Sequence, residues 1–294
     1  MDILTNYTFQ IIAFGTALLA AVAAPVGALS VYKGQSLIGD AIGHATFPGI
    51  VLAYMAFATR DPAVLLAGAM AAAAVTFFAI QSAHENSRVG LNANLAIFLS
   101  GFFGLGMVLK SYIQGNSAFR GASQAGLETY IFGQAAYMLE ADVFLIAAVA
   151  ALAVTLLVLF YKELKVFVFD TEYAEASGLP VGLLRILLPL LTVLVIGIGL
   201  KAVGSILISS FLIIPCVAAS QWSNDFSRVL FLSSLFGVAA ALTGTYVSTV
   251  EQGMSTGPSI ILAACAIAFF SLLLGKRGFL RLRQRRREKG GRPS

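Results

Sequence analysis

Long uncharged stretches separated by short polar segments make up most of the chain. The first stretch, residues 9–31, contains no charged residue, and about 20 apolar residues suffice for one helical crossing of a bilayer. Charged and turn-forming residues end each stretch before the next begins. We predict about nine membrane-spanning helices, with eight as the alternative count, at residues 9–31, 37–57, 63–82, 91–109, 143–161, 186–201, 203–221, 229–249 and 257–275.

The composition indicates a membrane protein built from helices. Hydrophobic residues make up 59% of the 294 residues and charged residues only 11%, whereas soluble domains carry roughly 25% charged residues. A transmembrane β-barrel would instead show segments of about ten residues with alternating polarity. We therefore predict an all-α fold, a polytopic membrane helix bundle, with one transmembrane domain over residues 1–275.

Positive charge is concentrated behind the last apolar stretch. Residues 276–294 carry nine Lys and Arg residues and one Glu, a net charge of +8. The whole chain has a formal charge of +5, so the remainder carries −3. Basic flanks mark the cytoplasmic side of membrane helices. We predict a multi-pass protein of the plasma membrane whose C-terminus is a disordered cytoplasmic tail, and we expect no nucleic-acid partner.

Two ionisable residues lie inside the second predicted span. Asp40 and His44 are four residues apart, so they share one face of a helix. Such a pair at membrane depth is unfavourable and by default marks a substrate or proton path. A carboxylate and an imidazole suit Mn²⁺, Fe²⁺ and Zn²⁺, and a second copy of this helix across a two-fold axis could complete the ligand shell. In the alternative, structural interpretation, the two side chains bond only to each other or to a neighbouring helix.

Small residues and prolines accompany this pair. Gly39 and Gly43 repeat the four-residue spacing, a pattern that lets another helix approach closely. Pro48 and Gly49 follow and can bend the helix beyond the pair. Pro215 lies in the seventh predicted span and makes that span a candidate for irregular structure. We interpret these five residues as packing or kink positions.

The loop between the fifth and sixth predicted spans contains a capped helical segment. Asp170 or Thr171 can cap its N-terminus, and Glu172 and Glu175 follow in the first turns. Gly178 can end it in a left-handed conformation. Such a helix can dock a cytoplasmic partner, or it can be a simple connecting turn.

The motifs of P-loop ATPases, zinc metalloproteases and serine esterases are missing from the sequence. There is no G-x-x-x-x-G-K-[ST] loop for ATP, no H-E-x-x-H and no G-x-S-x-G. His84 and Glu85 could bind a metal, but their place in a polar segment, predicted as a loop over residues 82–90, favours solvation. We predict that this chain is not an enzyme and holds no permanent cofactor.

Three segments together resemble a known family. They are residues 37–49, 169–179 and 202–215, which read LIGDAIGHATFPG, FDTEYAEASGL and AVGSILISSFLIIP. In this order they resemble the permease subunits of bacterial ABC importers for manganese, zinc and ferrous iron, the ABC-3 type metal permeases, which have a type II importer-like fold. The resemblance covers the chain up to the basic tail.

The resemblance implies an assembly around this chain. Two permeases, identical or related, would form the path, two cytoplasmic ATPase subunits would drive transport, and an extracytoplasmic metal-binding protein would deliver the ion. Asp40 and His44 would line the ion path, and the segment at about 170–178 would be the coupling helix seated on the ATPase. The implied coupling residues are Asp170, Thr171, Glu172, Ala174, Glu175, Ser177 and Gly178.

A second interpretation of the same pair is open. A secondary metal transporter driven by protons or sodium would use Asp40 and His44 as a proton relay and would need no ATPase. Within the importer interpretation, the ligand chemistry accommodates Mn²⁺, Zn²⁺ or Fe²⁺.

Overall fold

The computed structural model describes residues 5–59, 61–116, 133, 135, 138–251, 253–276 and 278. Eleven helices account for the regular structure of these residues. They are α1 (Tyr7–Tyr32), α2 (Ile38–Phe57), α3 (Pro62–Asn86), α4 (Leu91–Gly115), α5 (Glu140–Leu159), α6 (Tyr161–Phe169), α7 (Thr171–Ala176), α8 (Val181–Val203), α9 (Ser205–Ser220), α10 (Phe226–Val250) and α11 (Thr256–Leu274). The tail predicted at 276–294 lies almost entirely outside the described residues.

The predicted all-α membrane bundle is confirmed. Each of the nine predicted spans corresponds to one helix, and seven of these helices in the described residues are long and apolar enough to cross a membrane. Of the other two, α9 has only 16 residues. The other, α2, has 20 residues and carries Asp40 and His44 in its first two turns. The two additional helices, α6 and α7, lie between the fifth and sixth spans.

Several predicted helix ends were wrong. The segment 82–90 was predicted as a loop, but α3 continues to Asn86 and includes His84 and Glu85. The side chains of its last turns sustain the helix, since Gln81 Nε2 donates to Glu85 Oε1 (2.5 Å) and Asn86 Nδ2 to the carbonyl of Ser82 (2.9 Å). Similarly, α4 extends to Gly115 and α8 begins at Val181, because charge alone does not end a helix that reaches the membrane surface.

The bundle is arranged around α1, most of which is buried. This helix packs against α5, α8, α9 and α10, and these contacts form the larger apolar core. The second helix packs against α3, α4 and α9, and a smaller core lies between α2, α3 and α4. The helices around α1 and those around α2 are therefore joined through α9, which contacts both α1 and α2.

Glycines allow the backbones to touch at these crossings. A Cβ atom added to Gly27 of α1 would lie 1.9 Å from the carbonyl oxygen of Leu212 in α9. A Cβ atom on Gly49 of α2 would lie 2.3 Å from the carbonyl oxygen of Gly68 in α3. Lipid supplies no hydrophobic force between helices, so such close van der Waals packing contributes much of their association.

A proline within α1 is compensated by a neighbouring helix. Pro25 has no N–H group, so the carbonyl of Ala21, one turn earlier, loses its helical donor. The hydroxyl of Ser234 in α10 donates to that carbonyl at 2.8 Å. This hydrogen bond satisfies a polar group that lipid could not, and it joins α1 to α10.

The two ends of the bundle have different chemistry. We call the end of the bundle where α1 ends and α10 begins the tail end. Gly275, which follows α11, lies there against Gln221. An aromatic cluster of Tyr32, Phe169 and Phe226 joins α1, α6 and α10 there. At the opposite end, Lys201 Nζ of α8 lies 2.5 Å from Asp142 Oδ1 of α5, and the Tyr7 hydroxyl donates to Glu140.

Replacement of Gly27 by alanine should destabilise the bundle. The added methyl group would overlap the backbone of Leu212 and force α1 and α9 apart, at a cost of about 1–3 kcal/mol. The matched control is Gly101→Ala in α4, where nothing lies within 4 Å of the new methyl group. Thermal unfolding in detergent should show a lower midpoint for Gly27→Ala only, and equal midpoints for the two variants would contradict the packing argument.

Candidate functional site

The first two turns of α2 hold the ionisable pair. His44 Nε2 lies 3.4 Å from Asp40 Oδ1, and the two side chains are 21% and 31% exposed. The helical spacing therefore brings them together on one face, as predicted. Partial exposure leaves the carboxylate and the imidazole accessible to a small ion.

The pair lies between α4 and α9. The ring of Phe103 in α4 meets the His44 imidazole edge to face, with 5.0 Å between the ring centroids. On the adjacent face of α2, a Cβ atom on Gly39 would lie 2.7 Å from Leu212 Cδ1, and one on Gly43 would lie 3.1 Å from Ser209 Oγ. The small residues thus place α9 directly against the turn that carries Asp40 and His44.

Sequence analysis missed two residues that border the pair. The hydroxyl of Ser209 is buried and has no hydrogen-bond partner among the described residues. It belongs to the third segment of the family resemblance, which was a usable signal. Phe103 carried no signal, because it is one of several phenylalanines in an apolar helix.

The pair has no third ligand within the described part of the chain. No group of three or more His, Cys, Asp or Glu side chains comes together there. His84 and Glu85 lie at the tail end, on the last turn of α3, and do not join Asp40 and His44. One chain therefore presents two ligands, fewer than a resident metal site requires.

The predicted kink positions lie inside continuous helices. The second helix runs past Pro48 and Gly49 to Phe57, and α9 runs past Pro215. Pro48 packs close to α4, since a Cβ atom on Gly106 would lie 3.1 Å from Pro48 Cδ. These residues act here as packing surfaces, with Gly49 against α3 and Pro215 buried.

Local sequence determines both ends of α7. Asp170 caps the N-terminus, and its Oδ1 accepts a hydrogen bond from the Tyr173 amide at 2.9 Å. At the C-terminus Gly178 has φ +75°, its amide donates to Glu175, and the Leu179 amide donates to Ala174. This is a Schellman motif, which requires a residue that tolerates the left-handed conformation.

Tertiary contacts anchor α7 at the tail end. Lys33 Nζ, directly after α1, donates to the carbonyl of Phe167 at 2.8 Å and to the hydroxyl of Thr171. Burial lowers the pKa of Lys33, and the charge of Arg185 lowers it further. Ala174 is buried on the face of α7 that packs against the bundle. The opposite face is exposed and carries Glu172, Tyr173, Glu175 and Ser177.

The bundle is that of a polytopic membrane protein, with an ionisable pair on α2 and a short exposed helix at one end. The chain belongs to the ABC 3 transport family, whose sequence profile matches residues 6–275. The predicted family is thus confirmed, and so is the prediction that this chain is a permease subunit and not an enzyme.

Similar proteins cover nearly the whole chain. The zinc transport system membrane protein TroC of Treponema pallidum is 36% identical over 288 residues, which are 98% of this chain and 96% of that protein. The manganese transport system membrane protein MntC of Bacillus subtilis is 36% identical over 92% of this chain, and the match spans 63% of MntC. The solved structure of PsaBC from Streptococcus pneumoniae, in complex with a Fab, has a TM-score of 0.80 and 28% identity, with 95% of this chain and 96% of that chain covered.

Removal of the α7 cap should loosen this helix selectively. In Asp170→Ala the Tyr173 amide loses its acceptor, which destabilises the helix by about 1 kcal/mol. Hydrogen exchange of the amides in residues 171–178 should become severalfold faster while α8 is unchanged. Asp170→Asn keeps an acceptor and should exchange like the unaltered chain. Equal protection in all three proteins would show that Lys33 and Ala174 hold α7 without the cap.

Proposed function

We propose that this chain is the permease subunit of an ATP-driven importer that moves Mn²⁺ or Zn²⁺ through the plasma membrane. The observation that carries the proposal is the Asp40–His44 pair, partly exposed on α2 in a chain of this family. The names of TroC and MntC, which refer to zinc and manganese transport, support these cargoes. Fe²⁺ accepts the same ligands but has less support.

Asp40 and His44 supply the chemistry of this transport step. An ionised carboxylate and a neutral imidazole bind a divalent transition metal, and both lose that ability when protons compete for them. Two ligands from one chain and two from a second permease would hold the ion during its passage. Affinity stays modest, because the transported ion must leave the site.

The charge distribution supports a cytoplasmic tail end. In the described residues the tail end carries Lys33, Arg88, Lys162, Lys165, Arg185, Arg228 and Lys276. The opposite end carries Lys110 and Lys201. This asymmetry follows the positive-inside rule. We place the ATPase subunits on the exposed face of α7 and the extracytoplasmic metal-binding protein at the opposite end.

Loss of His44 should stop metal uptake. The complete complex is reconstituted in liposomes, with ATP on the ATPase side and the loaded binding protein on the other. His44→Gln and Asp40→Asn each remove one ligand, so uptake of Mn²⁺ or Zn²⁺ should fall by more than about tenfold. The matched control is His84→Gln, which alters the only other histidine of the chain.

The same assay separates the importer from a secondary transporter. Uptake that requires ATP and is lost in His44→Gln but not in His84→Gln supports the proposed function. Uptake that follows an imposed proton or sodium gradient without ATP supports the secondary transporter. Normal uptake by His44→Gln would remove the site assignment in either case.

Charge reversal on α7 should detach the ATPase. Glu172 and Glu175 are exposed on this helix, so Glu172→Lys with Glu175→Lys changes its outer face without altering its anchors. The ATPase subunits should no longer co-purify with the permease. Glu251→Lys, at the opposite end of the bundle, should co-purify normally. Retention of the ATPase by the double variant would argue against docking on α7.

A further inference from the structure

A cavity of about 440 Å³ opens at the tail end between α3, α6 and α8. Its ionisable lining residues are Lys33, Arg185, His84 and Glu85, and Phe77 and Leu188 form part of an apolar wall. Neither the Asp40–His44 pair nor the exposed face of α7 lines it. The cavity therefore needs an explanation separate from metal transport.

Two cations face this cavity without an acidic partner. Neither Lys33 nor Arg185 forms an ion pair within the described residues, although each lines the same space. Two positive charges in one cavity repel each other. Burial of Lys33 lowers its pKa most, and the charge of Arg185 lowers it further. Glu85 lines the same cavity but forms no ion pair with either cation, and its carboxylate accepts a hydrogen bond from Gln81 at 2.5 Å.

Donor groups remain available on both cations. Lys33 has three N–H donors, of which two are used by Phe167 and Thr171. Arg185 is exposed, and its five donors have no partner within the described chain. An anion placed between the two side chains would gain charge-assisted hydrogen bonds and would relieve their mutual repulsion.

We propose that this cavity binds a phosphate group through Lys33 and Arg185. The apolar wall at Phe77 and Leu188 suits the headgroup region of an anionic phospholipid, whose chains continue along α3 and α8. Basic pockets between membrane helices are known to hold anionic headgroups. Free phosphate offers the same chemistry without the chains, so the two sources must be separated by experiment. The proposal does not depend on which metal the permease carries.

The test measures binding to the purified full-length chain in a neutral detergent by native mass spectrometry. Phosphatidylglycerol and inorganic phosphate are titrated separately, and Arg185→Gln is compared with Arg228→Gln. Arg228 lies at the same end, outside the cavity, and its exposed contact with Asp225 (3.6 Å) contributes little stability. Loss of one of two cations should weaken phosphatidylglycerol binding about tenfold in Arg185→Gln and leave Arg228→Gln unchanged.

Each outcome has a defined meaning. Selective weakening for phosphatidylglycerol supports the cavity and identifies a lipid as the source of the phosphate. Selective weakening for inorganic phosphate alone supports the cavity and identifies a soluble anion. Equal binding by Arg185→Gln and Arg228→Gln, or no binding of either probe by the unaltered chain, overturns the proposal. Thermal unfolding without ligand confirms that both variants are folded.

Discussion

Close backbone contact of α9 with both α1 and α2 is the constraint on which the bundle depends. Leu212 meets Gly27 of α1 through its backbone and Gly39 of α2 through its side chain. Because lipid does not drive helices together as water does, these short approaches replace the hydrophobic force of a soluble core. They also decide where α2 lies, and with it the turn that carries Asp40 and His44. Packing and the candidate site are therefore parts of one arrangement.

The charged groups of the bundle are also held by specific contacts. Inside the bundle, α2 carries an acid and a histidine one turn apart, where each partly satisfies the other. At the surface, α7 combines a local cap at Asp170 with a distant anchor at Lys33. The cap at Asp170 stabilises the helical conformation of α7, and the contact with Lys33 fixes its position against the bundle. A partner that binds α7 thus meets an element that is both preformed and fixed to the membrane helices.

Much of this could be predicted from sequence, and the exceptions have physical reasons. Apolar stretches identified a helix at each of the nine predicted positions, because lipid tolerates few charges, and the i, i+4 spacing identified the Asp40–His44 pair. The end of α3 was misplaced, because polar residues such as Gln81 and Glu85 sustain a helix by bonding to each other. Phe103 reaches His44 from a helix some sixty residues away, and such contacts depend on crossing geometry that no local pattern records.

The contact of Lys33 with α6 and α7 has a mechanical consequence. Lys33 begins the connection between α1 and α2, and α2 starts at Ile38, so only a few residues separate this contact from Asp40. The connection is folded into turns, in which the Gln35 amide donates to the carbonyl of Ser30 and the Ile38 amide to that of Gln35. A displacement of α7 towards or away from the membrane would be passed to the start of α2 as a pull on its first turn. Lys33 thus links the position of α7 to the position of the first turn of α2.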